Sequence, residues 1–119
     1  DCSPQHSTPI LQIHGSLDAT VPYNGNSSLG MESIDDLINY WKNYNLCDLS
    51  PIITTTNTIN PIGSFRYDKY SNCLNGVNVE LYKIEGMGHT WPSLNSFGIS
   101  ATEKIWEFVN TYDMNGKIN

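Results

Sequence analysis

Two side chains of this sequence, Asp18 and His89, have the types and settings that invite a chemical role. Asp18 lies in Gly15-Ser16-Leu17-Asp18-Ala19-Thr20-Val21-Pro22-Tyr23, where a glycine at the start and a proline four residues past the carboxylate describe a tight loop. His89 lies in Gly86-Met87-Gly88-His89-Thr90-Trp91-Pro92, where two glycines permit a sharp turn and Pro92 stiffens the exit. A carboxylate bonded to one imidazole nitrogen fixes the tautomer and stabilises the imidazolium. The other nitrogen is then free to take a proton from a nucleophile. On its own, the His89 loop fits an ordinary surface histidine in a glycine-rich turn equally well. The placement of Asp18 has to separate the two.

That placement depends on two strands. Ile10 to His14 is a short, mostly apolar run ended by Gly15, as expected of a buried parallel strand. Val77 to Ile84 alternates Val77, Val79 and Leu81 with Tyr82 and Ile84, which predicts a second buried strand. Asp18 and His89 each follow the C-terminal end of one of these runs, and adjacent parallel strands would bring those ends together. Ile34, Leu37, Ile38, Trp41 and Tyr44 form one helical stripe, with Ser33 as N-cap and Asp35 and Asp36 in the first turn. A closing helix is expected from Ser100 to Tyr112, with Ser100 and Glu103 as a capping box. Between them, Ile52-Ile53-Thr54-Thr55-Thr56 suits an edge strand or an extended loop, and 64–75 shows no assignable period. The expected order is strand, helix, irregular region, strand, helix: two βα units with a parallel pair and a right-handed crossover.

A formal charge of -6, with no basic run, argues against nucleic acid and membrane surfaces as partners. No apolar run approaches the length of a membrane span. The 119 residues fit one domain or part of one, with 1–9 linker-like and 113–119 a tail. No signal-like segment opens the sequence, yet the chain starts at Asp1 rather than Met, so it is expected to be a cut or processed piece of a longer protein. Three cysteines cannot all pair within the chain. Cys47 and Cys73 bracket the irregular region that a cross-link would pin, leaving Cys2 for a partner elsewhere; three free thiols in a cytosolic protein is the alternative. Asn26-Ser27-Ser28 is a formal glycosylation sequon of a kind common by chance.

Ile13-His14-Gly15-Ser16-Leu17-Asp18-Ala19-Thr20-Val21-Pro22-Tyr23, Trp41, Cys47, Tyr70, Cys73, the Gly86–Pro92 loop and Ile105-Trp106-Glu107-Phe108 together carry a resemblance. From about Pro9 to Tyr112 the chain resembles the C-terminal half of secreted polyhydroxybutyrate depolymerases and feruloyl or acetylxylan esterases. The resemblance implies the C-terminal portion of an α/β-hydrolase fold and a serine esterase of secreted or periplasmic location. It further implies Asp18 as triad acid, His89 as triad base, a Cys47–Cys73 disulfide and no cofactor. The substrate would be a polyester or a plant cell-wall ester. One part is missing: Gly-x-Ser-x-Gly has only the near match Gly25-Asn26-Ser27-Ser28-Leu29, which no strand precedes. The serine and the oxyanion hole would then lie upstream of Asp1, and the chain alone would be inactive. The residues preceding Asp1 are therefore the most informative observation to seek.

A sheet cut in this way would expose apolar surface, so association with the missing half or with another copy is expected. Tyr23 and Trp91 flank the pair as candidates for lining an acyl site, or serve simply as packing residues. No metal is expected, because His14, Asp18 and His89 lack a metal-ligand spacing. Residues 113–119 lack the ligand series of a calcium loop. The rival function is a non-catalytic carbohydrate-binding or interaction module of α/β fold. An Asp18 carboxylate beyond about 4 Å of both His89 nitrogens would favour that rival.

Overall fold

The computed structural model describes residues 4–60 and 62–118. Cys2, expected to pair elsewhere, lies outside the described residues. In chain order the elements are β1 (Ile10–Gly15), α1 (Ile34–Tyr44), β2 (Ile52–Ile59), β3 (Ile62–Tyr70) and β4 (Val79–Ile84). They continue with α2 (Leu94–Phe97), α3 (Ala101–Val109), β5 (Tyr112–Asp113) and β6 (Gly116–Lys117). The main sheet has the order β1-β4-β3-β2.

Within that sheet β1 runs parallel to β4, whereas β2 with β3 and β3 with β4 are antiparallel. This corrects the expected fold class: the sheet is mixed and mainly antiparallel, and is not a set of parallel βα units of an α/β-hydrolase. The cause lies in 52–70, the region expected to be irregular. Its β-branched residues pair with 62–70 as a long antiparallel ladder, with Thr56 opposite Phe65 and Thr54 opposite Tyr67. On β3, Phe65 and Tyr67 alternate with Arg66 and Asp68, so one face of the strand carries charge. Arg66 Nε meets Asp68 Oδ1 at 2.9 Å, which lets a buried aspartate sit there. The expected tail is also structured, since β5 and β6 pair antiparallel.

Two apolar clusters line the sheet. Ile34 and Ile38 of α1 pack with Tyr23, Val79 and Leu81, joined by Ile10 and Trp41. Burying each isoleucine contributes about 1.5–3 kcal/mol relative to leaving it in water. The second cluster is Ile84, Met87 and Ile99, with Ile13, Phe65 and Tyr82 against it. Helix α1 begins where Ser33 accepts the Asp36 N–H, and it ends at Tyr44. Cys47, just past that end, is bonded to Cys73, which ties α1 to the segment after β3. Helix α3 stops at Val109, and Ser100 caps it by accepting from Glu103 N. The reciprocal capping box occurs instead at Ser93 and Ser96 of α2.

Candidate functional site

The parallel register pairs Ile10 with Val79 and Gly15 with Ile84, so β1 and β4 end level and their exit loops leave side by side. The loops are fastened to each other at once. Ser16 N donates to Ile84 O, Leu17 N donates to Met87 O, and Gly86 N donates to Ser16 Oγ at 2.8 Å. Gly15 makes the approach possible by lacking a side chain, since a Cβ there would stand 2.1 Å from Met87 O. Gly86 takes a left-handed φ of 77°, which turns the second loop toward the first.

Asp18 and His89 meet across this junction, with Oδ2 and Nδ1 2.9 Å apart. The carboxylate is buried, its side chain 5% exposed, whereas the imidazole is 59% exposed. Oδ1 of Asp18 is occupied by its own loop, accepting Thr20 N at 2.9 Å and Val21 N at 2.8 Å. Burial alone would raise the Asp18 pKa; the Val21 N–H, the His89 imidazole and the Thr20 N–H outweigh it and hold it below the ordinary carboxylate value. An ionised carboxylate only accepts, so neutral His89 carries its proton on Nδ1. Its Nε2 is left with a lone pair, and no described residue bonds to it. A buried carboxylate thus holds an exposed imidazole through Nδ1.

The pair stands in a cleft of about 330 Å³ lined by Ile13, His14, Gly15, Met87 and Trp91 among others. Trp91 is on the cleft wall and largely exposed. Tyr23 is elsewhere: it is 4% exposed in the α1 cluster, and its hydroxyl donates to Asp35 Oδ1 at 2.8 Å. The choice between lining and packing therefore falls differently for the two aromatics. Burial and the Asp35 contacts push the Tyr23 hydroxyl well above the usual phenol range.

Sequence reasoning missed four participants. Ser16 clasps Gly86, Thr20 and Val21 hold Oδ1, and Gln12 reaches His14. The Asp18-Ala19-Thr20 run carried a signal, because an aspartate that bonds N–H groups two and three residues ahead is a common turn-former. Among the described residues no group of three or more His, Cys, Asp or Glu side chains is placed to hold a metal. Among the described residues no helix is long and apolar enough to cross a membrane. No protein-family model matches the chain, and no curated protein matches it.

Proposed function

We propose that Asp18 and His89 are the acid and base of a hydrolytic triad acting on carboxylic esters, as in the polyhydroxybutyrate depolymerase and feruloyl esterase group that the loop motifs resemble. The observation that carries this is the 2.9 Å bond between a buried carboxylate and Nδ1 of an exposed imidazole with a free Nε2. The nucleophilic serine comes from outside these residues, because no described hydroxyl reaches His89. His89 Nε2 accepts that serine's proton as its oxygen attacks the ester carbonyl, and Asp18 stabilises the resulting imidazolium. The same nitrogen returns the proton to the departing alkoxide. A water then enters by the reverse sequence and releases the acid.

Trp91, Ile105, Trp106 and Val109 leave apolar surface beside the cleft, where the segment bearing the serine would dock. The disulfide is compatible with a secreted or periplasmic setting. At 2.9 Å the pair does not meet the condition, a separation beyond about 4 Å, that would favour a non-catalytic binding module.

The test is hydrolysis of p-nitrophenyl butyrate, a 3-hydroxybutyrate oligomer and a feruloyl ester. It compares the 119-residue chain with the product of the longest reading frame that contains it. The longer product is expected to hydrolyse one of them, to react with a serine-directed fluorophosphonate, and to lose turnover on Asp18→Asn or His89→Ala. The chain alone is expected to match buffer. Ester hydrolysis by the chain alone that disappears with His89→Ala would overturn the reading, as would full activity of the longer product after that substitution.

A further inference from the structure

We infer that His14, the second imidazole of the cleft, is a positioning residue that clamps the Asp18 loop so that Oδ2 is presented to His89. Its role in hydrolysis rests on the proposed triad, but the clamp can be tested without turnover. His14 Nε2 lies 2.7 Å from Val21 O and 3.5 Å from Asp18 Oδ2. A carbonyl only accepts, so Nε2 carries the hydrogen. Nδ1 of the neutral ring is then an acceptor, and the Gln12 amide stands 3.1 Å from it. Both ring nitrogens are used, in a residue 8% exposed.

Val21 is consequently gripped from two sides. Its N–H is held by Asp18 Oδ1 and its C=O by His14. Removing the second grip leaves a carbonyl without its donor in the middle of a loop whose remaining backbone fastenings to other elements are at its two ends, Ser16 and Leu17 on one side and Tyr23, whose carbonyl accepts Ile34 N, on the other. The turn can then relax, and the carboxylate with it. The Tyr23 ring stands edge-on to His14, with centroids 6.1 Å apart, and limits the other positions the imidazole could take. No bond joins His14 to His89; the coupling passes through Val21 and Asp18.

The imidazole nitrogens of the ¹⁵N-labelled chain report this directly, because long-range ¹H–¹⁵N correlations distinguish Nδ1–H from Nε2–H tautomers. The expected wild-type pattern is Nε2–H for His14 and Nδ1–H for His89. His14→Gln keeps an amide donor at the reach of Val21 O, while His14→Asn is one methylene short. The glutamine variant is expected to retain the His89 Nδ1–H signal. The asparagine variant is expected to lose it to a tautomer mixture while the β4 backbone resonances hold their positions. Full retention in the asparagine variant overturns the inference, as does loss in a folded glutamine variant. The second result decides the matter by itself where the asparagine variant fails to fold. Asp18→Asn separates the two readings: a His89 Nδ1–H signal that survives it refutes the dyad. A signal that responds to Asp18 but is unmoved in His14→Asn leaves the dyad standing and makes His14 merely structural.

Discussion

Gly15→Ala is the sharpest perturbation of the junction between the two loops. The added Cβ would meet Met87 O at 2.1 Å, Met87 C at 2.6 Å and Gly88 O at 2.9 Å, where ordinary contact begins at 3.4 Å. All three are backbone atoms, so no rotamer change relieves the clash, and 87–88 must retreat by roughly 1 Å or more. Overpacking of this kind costs about 1–3 kcal/mol, and losing the Leu17 N to Met87 O bond adds about 1 kcal/mol. The alanine recovers about 0.4–1 kcal/mol by restricting the unfolded chain. The net loss is about 1–3.5 kcal/mol, a fall in Tm on the order of 10 °C for a domain of this size. Because His89 follows directly on the displaced segment, its bond to Asp18 should open and its Nδ1–H correlation should disappear. Gly88→Ala is the matched control, since its Cβ would have only Leu17 O near it, at 3.9 Å. Thermal melts followed by circular dichroism, with imidazole spectra of both variants, decide the matter. A Gly15→Ala protein melting within about 2 °C of wild type with the His89 signal intact refutes the packing account.

Asp18 should also set a pH dependence. Its pKa is lowered by folding, so its contribution is present above the unfolded carboxylate value, 3.8, and is lost as pH falls through the lower folded value. Urea midpoints of wild type and Asp18→Asn should differ by a constant amount above about pH 5 and converge below about pH 4; divergence on acidification would reverse the sign. Replacing Cys47 and Cys73 by alanine opens a cross-link spanning 26 residues and should cost about 3.5 kcal/mol in the chain-entropy account, measurable by urea titration. Tyr23→Phe should cost about 1 kcal/mol through loss of the Asp35 bond, whereas Trp91→Ala should leave the midpoint within about 0.5 kcal/mol, as suits a cleft wall rather than a core.

The sequence announced some elements and concealed others for physical reasons. Helix α1 was legible because Ile34, Leu37, Ile38 and Trp41 repeat at helical spacing behind a serine cap, and the structure starts it at Ile34. Strand β4 was legible through its apolar alternation, although Val77 is buried without belonging to the ladder. The β2–β3 ladder was concealed because its stabilising features are not hydrophobic periods. Ile52, Ile53, Thr54 and Thr55 are exposed on an edge strand, and β3 sets Arg66 and Asp68 against each other on one face. Period-2 alternation of apolar residues reports burial against a core, and a strand that neutralises its charge internally has little of it to report.

The error in fold class left the dyad geometry untouched, because the site draws on a small part of the sheet. Asp18 and His89 depend on the one parallel pairing, β1 with β4, and on both strands stopping at the same level. Whatever pairs with the far edge of β4, parallel or antiparallel, does not alter where Gly15 and Ile84 end or which way their loops leave. The antiparallel β3 does affect the support: Phe65 pairs with Ile84 and packs against the cluster of Ile84, Met87 and Ile99, so the hairpin contributes to the core from which the His89 loop leaves. A dyad held by adjacent strand ends can therefore be inferred from local signals even where the topology around it is misjudged.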